Sequence, residues 1–131
     1  MKRRLTALAL VVVLCLSLSV NVFAAQTTGV GTSSGGTGGT LRVTTKLYVT
    51  KYLAEAYTNC TANVSNNYFA TTVRFYYTNS AGHEAIETDN GNVVASDGNG
   101  AGTGKYATSS HSINGGSVYG TWTGSLRANA S

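Results

Sequence analysis

Apolar side chains follow two regimes along this 131-residue chain. Residues 5–20 form a single uncharged run dominated by Leu, Val and Ala. From residue 41 onward, apolar and polar positions alternate with a period of two, the spacing of strands that bury one face. Over residues 68–78, Phe69, Val73, Phe75 and Tyr77 share one face, while Thr72, Arg74 and Tyr76 share the other. Over residues 117–128, Val118, Trp122, Leu126 and Ala128 alternate with Tyr119, Thr121, Thr123, Ser125 and Arg127. That segment is the clearest half-buried strand, with Trp122 as its expected core anchor.

A first strand over residues 41–49 buries Leu41, Val43, Leu47 and Val49. The next segment buries Ala54, Ala56, Cys60, Ala62 and Val64 in the opposite phase. No Gly, Pro or Asn separates the two near residue 51. The flip therefore predicts a bulge or a strand bending between sheets, in preference to a short helix over 51–57. Turn signals recur at Asn66-Asn67, Asn79 to Gly82, Asp89-Asn90-Gly91 and Asp97 to Gly100, and Asn114-Gly115-Gly116 predicts a tight hairpin. About six to seven short strands at this spacing predict an all-β fold over residues 41–131. The expected form is a small antiparallel β-sandwich of immunoglobulin-like arrangement.

The apolar run at the start has a different meaning. Lys2, Arg3 and Arg4 precede it, and small residues close it at Ala24 and Ala25. This is the layout of a secretory signal peptide over residues 1–24, with Val22 and Ala24 at the two positions that must be small. The run is shorter than the roughly 20 apolar residues a membrane-spanning helix needs. The expected location is extracellular, with no membrane span once the leader is cleaved.

Setting the leader aside changes the charge. Of nine basic residues it holds Lys2, Arg3 and Arg4, leaving six against five acidic ones, a net of about +1. The six are dispersed from Arg42 to Arg127, which excludes a nucleic-acid partner held by a clustered basic patch. Of the two cysteines, Cys15 lies in the leader, so Cys60 has no intrachain partner and is expected as a small buried hydrophobe. Residues 25–40 are almost all Gly, Thr and Ser, a composition that predicts a flexible tether.

Candidate chemistry is sparse. His83, Glu87 and Asp89 would share a strand face and, with His111, make a weak metal site, but the spacing is unspecific and a charged edge strand explains it better. Asp97 to Gly102 starts like a calcium loop, yet Ala101 stands where an oxygen ligand belongs and Thr108 where a bidentate carboxylate belongs, so a turn is expected. No Gly-x-Ser-x-Gly elbow occurs, and five acids in a small domain carry no specific pairing. The expectation is a protein that is not an enzyme and holds no metal or cofactor. Tyr48, Tyr52, Tyr76 and Tyr119 fall opposite the apolar faces of their segments and are the candidate binding residues, for a cell-surface glycan or protein.

The leader, the Gly/Thr-rich segment and the Tyr/Thr/Ser-rich strand domain together resemble small exported proteins of Gram-positive bacteria. Size, leader and polar-aromatic composition also resemble, more loosely, bacteriocins of the lactococcin 972 type. The first resemblance implies export; the second implies, as an alternative to binding, a secreted toxin. A further alternative is an extracellular matrix subunit in which an exposed strand over residues 41–49 adds to a neighbour.

Overall fold

The structure, a computed structural model, describes residues 24–131, so the expected leader lies outside the described residues apart from Ala24. Period-two alternation produces what it predicts, a small all-β sandwich of two antiparallel sheets. One sheet orders β1 (Ala25–Thr32), β3 (Arg42–Val49), β4 (Leu53–Cys60) and β7 (Val94–Gly98). The other orders β2 (Ser34–Gly35), β9 (Gly120–Asn129), β8 (Thr103–Asn114), β5 (Phe69–Thr78) and β6 (Glu84–Gly91). The strands expected from the alternation correspond to β3 through β9. No helix among the described residues is long and apolar enough to cross a membrane.

The expected tether is corrected. Residues 25–32 form β1, paired with β3 along its whole length from Ala25↔Val49 to Thr32↔Arg42. Its glycines serve close approach rather than flexibility. A Cβ on Gly31 would sit 2.0 Å from Trp122 Nε1, so only glycine lets β1 cross the indole that β9 projects from the opposite sheet. The chain then changes sheets at Ser33, which is buried. Ser33 Oγ donates to Tyr119 O at 2.6 Å and accepts from Leu41 N at 2.8 Å. Beyond it, Thr37 N and Gly38 N donate to Ser117 O and Val118 O. This segment's backbone groups are satisfied by the domain, which a tether's would not be.

Because β1 covers one side of β3 and β4 the other, residues 42–49 are not an exposed edge, and strand addition there is excluded. The phase flip near residue 51 is neither bulge nor helix but a hairpin. Thr50 supplies the turn chemistry in place of Gly or Asn: its Oγ1 accepts from Tyr52 N at 3.1 Å and from Leu53 N at 2.9 Å. Replacing Thr50 with Ala is expected to cost about 1 kcal/mol, read as a lower midpoint in urea unfolding. Ala62 and Val64 lie beyond the end of β4 at Cys60. Val118, expected inward, is exposed on a single helical turn, α1 (Gly116–Tyr119), between β8 and β9. Gly120 leaves that turn at φ 71°, and a Cβ there would meet Ser34 O at 1.9 Å, so glycine is required for β2 to pair.

The core falls into two apolar clusters. The larger holds Leu47, Val49, Val73 and Phe75 among small Ala residues. The smaller holds Leu41, Val43, Phe69 and Ile113, with Trp122 and Tyr119 partly buried against it. Register explains the division. Thr45 pairs with Thr58 and Thr71 with His111, so each sheet contributes a polar inward-facing pair between the clusters. All four of these side chains are buried. Cys60, expected buried, is half-exposed at the rim, and its thiol donates to Ala62 O at 3.2 Å.

Candidate functional site

The outward side chains of β3 and β4 line a recess of about 600 Å³. Alternation sets its composition: Thr44, Lys46 and Tyr48 point out of β3, and Leu53, Glu55 and Tyr57 out of β4. Register places Tyr48 opposite Glu55 and Lys46 opposite Tyr57, so the two tyrosines are diagonal neighbours. Their rings meet edge to face with centroids 5.7 Å apart, a favoured arrangement that makes a rigid apolar floor. Tyr57 OH donates to Glu55 Oε2 at 3.0 Å, and Ser96 Oγ donates to Glu55 Oε1 at 3.4 Å. Burial, and then the bond to Glu55, raise the Tyr57 hydroxyl above its ordinary pKa, so it stays a neutral donor. Glu55 is the one acid among the described residues lining the recess.

The four expected tyrosines do not form one surface. Tyr48 lies in the recess, and Tyr52 stands 57% exposed in the adjoining β3–β4 turn. Tyr76 is on the outer face of the other sheet, stacked on Tyr106 at 4.3 Å. Tyr119 ends α1 and packs against the smaller core cluster, so it is a structural residue. Alternation gave the correct outward phase for Tyr48 and Tyr76 but could not say which sheet each strand joins. Tyr57 was missed because its segment was read through its apolar phase alone. Its spacing of two from Glu55 on the same face was the available signal.

The expected metal grouping is also dispersed. His111 lies in the core, away from β6. His83 precedes β6, with its backbone N–H held by Asn79 Oδ1. Glu87 accepts from Tyr77 OH, and Asp89 accepts from Ser96 N. Among the described residues no group of three or more His, Cys, Asp or Glu is placed to hold a metal ion. Of the expected Asp97 to Gly102 turn, Asp97 and Gly98 end β7 and Asn99 to Gly102 lead into β8. Asn99 ties it to the β3–β4 turn, its Nδ2 donating to Lys51 O and its N–H to Tyr52 O.

His111 instead belongs to a buried relay that links the sheets. Its Nδ1 lies 2.8 Å from Thr58 Oγ1, its Nε2 lies 2.7 Å from Ser109 Oγ, and Thr58 Oγ1 lies 2.7 Å from Thr71 Oγ1. Thr71 donates to Asn92 O at 2.6 Å. Each hydroxyl has one proton, so Thr58 must donate to Thr71, His111 must carry its proton on Nδ1, and Ser109 must donate to Nε2. Burial lowers the His111 pKa to about 4, and the ring is neutral at pH 7. The constellation contains a Ser–His contact, and Thr58, Thr71, Ser109 and His111 are all buried between the sheets.

No protein-family model, no curated protein and no solved structure matches the chain.

Proposed function

We propose that the chain is a secreted, non-enzymatic β-sandwich that binds a surface ligand, a glycan or protein, in the recess over Tyr48 and Tyr57. The observation that carries this reading is the recess itself: a concave sheet face with an aromatic floor and polar groups at its edges. Tyrosines offer large rigid contact area at low entropic cost. Lys46 adds a donor, and Glu55, held by Tyr57 and Ser96, adds an acceptor of fixed position. A single tethered acid supports binding rather than glycoside hydrolysis, which uses two carboxyl groups. Secretion rests on the basic, apolar and small-residue order of the leader. The strand order supports an immunoglobulin-like sandwich: β3, β4 and β7 lie opposite β9, β8, β5 and β6, the arrangement of strands A, B, E against G, F, C and C′.

The test is a cell-wall polysaccharide and glycan array probed with purified protein. Wild type is expected to give discrete signals that fall at least tenfold with Tyr48→Ala or Tyr57→Ala, while far-ultraviolet circular dichroism is unchanged. Signals that survive both substitutions would place binding elsewhere.

A further inference from the structure

The outer face of the five-stranded sheet carries chemistry that the recess does not use. Register aligns its outward side chains in rows across the strands. One row runs Arg74, Thr108, Arg127, and the next, two residues along each strand, runs Thr72, Ser110, Ser125. Adjacent strands lie about 4.8 Å apart, so the two arginines stand about 10 Å from each other with Thr108 between them. The hydroxyl row opens into a shallow trough of about 400 Å³, extended by Ser112 and Thr123.

Charge on this face is unbalanced. The register shift between Tyr76 and Tyr77 turns Lys105 out of the ladder, and it pairs with Glu84. Lys105 accordingly holds the Glu84 carboxyl below its ordinary pKa. Arg74 and Arg127 have no acidic partner among the described residues. The other acids of this sheet are committed elsewhere: Glu87 and Asp89 lie in the inward phase of β6, each accepting a hydrogen bond. A chain whose net charge is near +1 without its leader thus concentrates two free cations on one flat face.

One of those cations is also fixed in place. The Arg127 guanidinium lies 4.0 Å over the Tyr106 ring, which stacks at 15° on Tyr76. This cation–π contact holds the guanidinium over the ring while no hydrogen bond or ion pair among the described residues occupies its N–H groups, which can meet a carboxylate through two parallel hydrogen bonds. We infer that this face is a second binding site, for an acidic polysaccharide whose uronate carboxylates meet Arg74 and Arg127 and whose hydroxyls lie along the Ser/Thr trough. The fixed arginine lowers the ordering cost of binding. The Tyr76–Tyr106 stack acts here as a positioning device for Arg127.

The test is calorimetric titration of the purified protein with polygalacturonate and with the same polymer fully methyl-esterified, in which each carboxylate is replaced by a neutral ester. Binding of the acid form, weakened by salt and absent for the ester, is the expected result. Arg74→Gln and Arg127→Gln are each expected to weaken it about tenfold. Tyr76→Ala is expected to weaken it by a smaller factor through Arg127. Lys46→Gln, which removes equal charge from the opposite sheet, should change it less than twofold. Tyr48→Ala should leave it intact, so failure of the recess reading and failure of this one are separable. Equal binding of ester and acid, no binding of the acid form, or equal losses in Arg74→Gln and Lys46→Gln would each overturn the inference.

Discussion

Acidification is expected to destabilise the folded domain through His111 alone by about 2 kcal/mol at pH 5 and about 3 kcal/mol at pH 4. Burial takes this imidazole from 6.5 in the unfolded chain to about 4 in the native state. Between those values the unfolded chain binds a proton that the folded one does not. Stability from this group is therefore complete above pH 6.5 and is lost as the pH falls toward 4. The relay offers the charged ring no compensating charge: on protonation the Ser109 hydroxyl must turn from donor to acceptor at Nε2, and the other relay members are neutral threonine hydroxyls. Urea unfolding of wild type and His111→Gln at pH 7, 5 and 4 measures the effect. The variant starts less stable but should lose much less between pH 7 and 4. Parallel losses in the two proteins would show that other groups carry the acid sensitivity. Nitrogen-15 shifts of the ring at pH 7 provide an independent check, since the relay requires the Nδ1–H tautomer.

The same relay marks where sequence pattern ceased to be informative. Alternation identified the inward phase of β5 from Phe69, Val73, Phe75 and Tyr77, and all four are buried. Thr71 sits in that phase between Phe69 and Val73 and is equally buried, but a polar residue there reads as an interruption of the pattern. Its value depends on Thr58 and His111, which are separated from it by 13 and 40 positions and meet it only after the sheets close. Likewise, alternation oriented Tyr48 and Tyr76 outward. Whether they share a surface is a question of sheet assignment, and β3 and β5 belong to opposite sheets. Arg127 was in the correct outward phase too, yet its contact with Tyr106 is a property of the β8–β9 register rather than of either strand. One-strand properties were legible; pairings across the sandwich were not.

The tether shows the opposite failure, in which composition gave a physical answer with the wrong sign. Substituting alanine for Gly31 decides between the two accounts. In a segment that is flexible both before and after unfolding Gly→Ala is neutral, because it restricts both states alike. In β1 the added methyl would lie 2.0 Å from Trp122 Nε1 and 2.2 Å from Cε2, and the indole is backed by Gly124, whose own Cβ would lie 2.4 Å from the ring. The ring cannot retreat without lifting β1 from β9. Gly31→Ala is therefore expected to destabilise by about 2–3 kcal/mol. Thr28→Ala, on the exposed face of the same strand, should stay within about 0.5 kcal/mol of wild type. Trp122→Leu removes the ring that the methyl meets, so Gly31→Ala should cost less in that background than in wild type. Urea unfolding followed by far-ultraviolet circular dichroism reads wild type and the four variants without relying on the indole. A stabilised or unchanged Gly31→Ala variant would return residues 25–32 to the status of a tether, while strictly additive losses in the double variant would detach the effect from Trp122.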